Sequence, residues 1–83
     1  MTKLETLKQA LDGRNEEILN YQINIDNFDL AIKKIEVEYP DNEDLKDFKR
    51  SLIELLDGNK KQQLRSIIIR DVIEEQVKEL SKN

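Results

Sequence analysis

The sequence predicts an all-α protein: a long N-terminal heptad helix and two shorter helices forming an antiparallel hairpin or bundle that oligomerisation completes. Three observations carry this expectation. Leu4, Leu7, Leu11, Arg14, Ile18, Tyr21, Ile25, Phe28, Ile32, Ile35 and Tyr39 follow one another at alternating intervals of three and four, and ten of these eleven are apolar. Charged residues make up 39% of the 83-residue chain, which has two Gly, one Pro and no Trp, the composition of a helical bundle rather than a sheet. The later apolar residues recur at the same helical spacing, so almost no strand is expected.

The first helix is expected over about 2–39. Thr2 suits the N-cap, because its hydroxyl can accept a bond from one of the first free amides. The seam then crosses Asp12-Gly13-Arg14-Asn15, where three of four residues are weak helix formers. Leu11 and Ile18 stay seven apart across it, which predicts a continuous helix or one slightly kinked near 13. Arg14, the one polar member of the seam, is read as a register or ion-pairing residue. With Leu4 as position a, the expected oligomer seam is Ile18, Tyr21, Ile25, Phe28, Ile32 and Ile35. Aromatic residues at the d positions 21 and 28 suit an antiparallel bundle better than a parallel two-stranded coil.

Ile23, Leu30 and Val37 form a second row on the same helix, seven apart at position f, opposite the seam. The earlier f positions, Gln9 and Glu16, are polar as a solvated helix back should be. The change after residue 18 predicts a helix covered on two sides, with these three residues as an interaction row. Tyr39-Pro40 ends the helix, since the residue before proline is pushed out of the α region.

A second helix is expected over about 42–57. Asp41 or Asn42 can cap it, and Glu43 and Asp44 place negative charge in its first turn. The cluster 41–44 lacks the alternating ligands and central glycine of a calcium loop, so capping is the reading and no metal site is expected. Asp57-Gly58-Asn59 then predicts a stop, with Gly58 as a C-cap and Asn59 with Gln62 restarting a third helix over about 60–81. That helix carries Leu64, Ile67, Ile68, Ile69, Val72, Ile73, Val77 and Leu80, a face too wide for one seam. One echo runs through the chain at an offset of 45: Leu7, Leu11-Asp12-Gly13, Leu19 and Ile23 match Leu52, Leu56-Asp57-Gly58, Leu64 and Ile68.

Composition narrows the function classes. The chain lacks Cys, which removes disulfides and thiolate chemistry and fits a reducing cytoplasm. It also lacks His, the usual general base near neutral pH and the commonest metal ligand. No catalytic residues and no cofactor are expected. No run approaches the 18 or so apolar residues of a membrane span.

Charge is unevenly spread: residues 1–45 hold five basic and eleven acidic side chains, residues 46–70 seven and three, residues 71–83 two and four. The basic segment 46–70 offers an anion site at Lys49, Arg50, Lys60, Lys61 and Arg65, with Lys60 and Lys61 beside the helix N-terminus expected at residue 60 and Arg65 one turn beyond Lys61; the plainer expectation is that these cations pair with the acidic first helix of the same or a neighbouring subunit.

The leading expectation is a non-enzymatic protein–protein interaction module. It would act as an accessory regulator, inhibitor or assembly factor, of the kind phages among others encode, with itself and another protein as partners. An anion binder for RNA, DNA or a nucleotide is the rival from another class, and a structural scaffold or spacer is the third.

Overall fold

The computed structural model describes residues 1–82. It is all-helical, with two long helices and about 90% of its residues in helix. α1 spans Lys3–Glu38 and α2 spans Lys46–Leu80, and a single 3-10 turn at Glu43–Leu45 leads into α2. The rod measures 63 × 19 × 15 Å. Its length is that of one helix of this size, roughly 54 Å at 1.5 Å per residue, plus the connection. Its width is that of two helices side by side.

Local chemistry sets the ends. The Thr2 hydroxyl accepts from the Glu5 amide at 3.1 Å and caps α1. Tyr39, held before Pro40, leaves the α region with φ −134° and ψ 45°, and its amide donates back to the Ile35 carbonyl at 2.9 Å. The chain then turns within a few residues. The Asn42 side chain accepts from the Asp44 amide at 2.9 Å, so it is Asn42 that caps the turn leading into α2.

Contacts between the helices pair rising numbers on α1 with falling numbers on α2. Arg14 meets Ser66, the Ile18 carbonyl accepts from Gln63, Asn24 meets Asn59 and Glu36 meets Lys49. On α1 the inward residues are Leu4, Leu7, Leu11, Arg14, Ile18, Tyr21, Ile25, Phe28, Ile32 and Ile35, all buried or half-buried. Opposite them, starting at Leu45 at the end of the 3-10 turn and continuing on α2, the facing residues are Leu45, Lys49, Leu52, Leu56, Asn59, Gln63, Ser66, Arg70, Ile73 and Val77, again spaced four and three.

The third helix expected from the sequence does not exist. α2 runs unbroken through Asp57-Gly58-Asn59, and no glycine has a positive φ. A glycine inside a helix costs only about 1 kcal/mol relative to alanine, far less than losing the contacts on either side of it. Asn59 also does not cap a restart: its amide group donates to the Leu55 carbonyl at 2.8 Å, and Asp57 pairs with Lys61 at 2.9 Å, both one turn apart within the same helix. A Cβ at Gly58 would meet nothing within 4 Å. Gly58→Ala is therefore expected to stabilise the protein by about 1 kcal/mol, a rise in melting temperature of roughly 4–8 °C for a domain of this size. A fall on thermal denaturation would mean that α2 breaks there after all.

The middle of the α2 seam is polar. Asn59, Gln63, Ser66 and Arg70 face α1 while Leu64, Ile68, Ile69 and Val72 do not, and among the described residues Ser66 is the most buried at 2% exposure. Leu45, Leu52 and Leu56 at one end and Ile73 and Val77 at the other fix which face of a straight helix turns inward. The central residues must follow. They are matched across the seam: Gln63 Nε2 donates to the Ile18 carbonyl at 3.2 Å and to Gln22 Oε1 at 2.9 Å, and Asn24 donates to Asn59 at 3.4 Å.

Ser66 is buried against α1. Its hydroxyl lies 3.5 Å from Arg14 Nη1, at the limit of a hydrogen bond, and Arg14 pairs more closely with Glu17 at 3.1 Å. Ser66→Ala should stay within about 1 kcal/mol of the parent, whereas Ser66→Leu should cost about 1–3 kcal/mol by forcing the helices apart. Urea titration of the two variants checks this ordering.

Candidate interaction surface

The row Ile18, Tyr21, Ile25, Phe28, Ile32 and Ile35 faces α2 of the same chain, and Ile25 and Ile32 are buried there without a second subunit. The opposite row is open. Ile23, Leu30 and Val37 are 49%, 62% and 79% exposed, with Leu19 beside them. Asp26, Asn27, Lys33 and Lys34 separate these residues, so the row is interrupted by polar side chains. The Lys33 ammonium lies 2.8 Å from Asp29 and that of Lys34 2.7 Å from Glu38. The Asp29 hydrogen bond and charge raise the pKa of Lys33, and those of Glu38 raise that of Lys34. A raised folded pKa stabilises fully below the unfolded value near 10.5 and loses that contribution as pH rises through the folded value, so both pairs hold at neutral pH.

A second open surface lies on the outer side of α2. Leu64, Ile68 and Val72 are each half or more exposed and stand one turn apart, so they make a continuous strip, with Ile69 at its flank. Phe48 and Leu55 extend exposed apolar surface toward the loop, beside an open groove of about 420 Å³ that Phe48 lines together with apolar neighbours and the polar Lys34 and Asn42. The echo at offset 45 has a structural counterpart. Leu7, Leu11, Leu52 and Leu56 sit in the seam, whereas Leu19, Ile23, Leu64 and Ile68 all point out.

The five cations of the expected anion site do not converge. Lys49 reaches across to Glu36 on α1 at 3.4 Å, Arg50 pairs with Asp47 at 3.2 Å and Lys61 with Asp57 at 2.9 Å. At roughly 100° per residue the five side chains are spread over almost half the circumference of α2. The free amides expected beside Lys60 are absent, because α2 has no terminus there. Lys60 and Arg65 make no ion pair among the described residues.

Among the described residues, no helix is long and apolar enough to cross a membrane. Comparisons of the chain with protein families, with curated proteins and with solved structures return no match.

Proposed function

We propose that this chain is a small helical interaction module. It acts by binding rather than catalysis, associates with itself through the apolar rows on its outer faces, and presents helices to another protein as an accessory regulator, inhibitor or assembly factor. The observation that supports this reading is the amount of apolar surface left outside the seam between the helices. Three apolar residues, Ile25, Ile32 and Leu52, are buried within the single chain, while Ile23, Leu30, Val37, Leu64, Ile68 and Val72 stand outside in ordered rows. Single exposed aliphatic residues are ordinary, but rows at helical spacing are what a neighbouring helix covers. A two-helix rod has too little interior to bury them itself, and association completes the antiparallel bundle.

The test is mass in solution as a function of concentration. Light scattering should show a mass above that of one chain, and the melting temperature should rise with protein concentration, because association stabilises the folded form by mass action. A single-chain mass at every concentration, with a constant melting temperature, would refute self-association.

A further inference from the structure

We infer that the connection between the helices is a lock: Pro40 holds closed a hairpin whose two arms can instead join into one continuous helix and pair antiparallel with a second copy through the same seam. This goes beyond the association proposed above, because the seam rather than the outer rows joins the chains.

Three observations carry it. Little of the connection is non-helical: α1 ends at Glu38, the 3-10 turn begins at Glu43, and Leu45 and Lys46 already lie in the α region. Only residues 39–42 stand outside helical structure between them. The seam also crosses these residues without losing its side. Ile32, Ile35, Tyr39, Asn42, Leu45, Lys49 and Leu52 follow at steps of three, four, three, three, four and three. The one repeated three overwinds a helix pair locally and does not turn the stripe away. Finally, the register is centred on the connection. Arg14 with Ser66, Ile18 with Gln63, Asn24 with Asn59 and Glu36 with Lys49 all have their midpoints, along the sequence, between residues 40 and 43. A second copy laid antiparallel about a twofold axis at that point makes each of these contacts between chains instead of within one, the exchange of identical elements that joins swapped dimers.

Opening adds contacts at the axis. Tyr39 is 48% exposed in the closed hairpin and borders an open groove with Ile35, Asn42 and Leu45. In the open pair Tyr39 stands level with Leu45 of the partner subunit, and Asn42 with the partner's Asn42. What opposes opening is local. Pro40 has no amide to donate, and in a helix its ring would clash with the Glu36 carbonyl. A proline inside a helix disfavours it by a factor on the order of one hundred, which becomes about ten-thousandfold for the two chains of a dimer. Opening also gathers Glu38, Asp41, Glu43 and Asp44 of both chains near the axis, where like charges repel. The short connection keeps the arms of one chain at an effective concentration on the order of millimolar, so the parent stays folded back in micromolar solution.

Pro40→Ala in the full chain tests the lock. At micromolar concentration it should form a dimer with a maximum dimension of roughly 115 Å in small-angle scattering, the length of one helix running through both arms, against 63 Å for the closed rod. Pairing through the seam should strengthen by about a thousandfold or more over the parent, and helicity by circular dichroism should rise. Glycine is a poorer helix former than alanine, so Pro40→Gly should dimerise at least about tenfold more weakly than Pro40→Ala. Asn24 and Asn59 touch across the seam, and the chain lacks cysteine. With Asn24→Cys and Asn59→Cys introduced together, a short bifunctional thiol reagent should link them within one chain in the Pro40 background and between two chains in the Pro40→Ala background. Pro40→Ala rods that keep the closed length and link within one chain overturn the lock, and if they still associate, the reading of an interaction module stands without it. Equal dimerisation by the alanine and glycine variants, or a loss of helicity in Pro40→Ala, overturns the continuous helix and the lock with it.

Discussion

Leu52→Ala is expected to cost roughly 2–4 kcal/mol and to lower the melting temperature by roughly 10–20 °C. A chain of this length holds only on the order of 5–10 kcal/mol of net stability, so this one truncation removes a large share of it. The size of the effect follows from where Leu52 sits. The pairs Asn24 with Asn59 and Glu36 with Lys49 bracket it and put it level with Ile32, one of the two other buried apolar residues. A two-helix rod has no further layer that could shift inward to fill the space, so the cavity opens to water on both flanks. All three buried apolar residues lie toward the loop. The Leu4, Leu7 and Leu11 end, with Ile73 and Val77 opposite, is only half-buried. Hydrogen exchange should therefore be slowest between about residues 25 and 56, and Leu52→Ala should erase that difference. Leu30→Ala, on the exposed row, should stay within about 0.5 kcal/mol when measured at low protein concentration. Equal losses at the two positions would mean that the seam is not where the stability resides.

The helical class was legible because the 3-4 spacing along α1 survives Gly13 and stops at Tyr39-Pro40, where sterics allow nothing else. The path of α2 was harder to read, for two physical reasons. Gly58 next to Asn59 carries every local mark of a helix end, yet local marks amount to about 1 kcal/mol each and the seam contacts on both sides outweigh them. The phase of α2 was hidden for the opposite reason. Leu64, Ile67, Ile68, Ile69 and Val72 draw a hydrophobicity reading toward a face that the structure leaves largely open, whereas Asn59, Gln63, Ser66 and Arg70 look like a solvated back. A clue was present in the four-three series Leu45, Lys49, Leu52, Leu56 extended without regard to polarity, since a helix without a kink cannot change the side it presents. For the surface, the row Ile23, Leu30 and Val37 could be picked out from spacing alone. The strip at Leu64, Ile68 and Val72 could not, because its separation from the seam depends on that phase.

Replacing Ile23, Leu30 and Val37 together by Glu should reduce association sharply and leave helicity almost unchanged, the opposite signature to Leu52→Ala. All three side chains are exposed in the single chain, so no internal packing is lost, and Glu is a better helix former than Ile or Val. What changes is the outer edge of α1. Residues 1–45 already carry eleven acidic against five basic side chains, and three more carboxylates would have to be desolvated for any apolar surface to close over the row. Added salt screens their mutual repulsion but not that desolvation, so raising ionic strength should restore little of the lost affinity. Light scattering and circular dichroism on the same samples separate the outcomes. A parent and variant of identical mass across the concentration range would remove this row from self-association and leave it as a surface for a different protein.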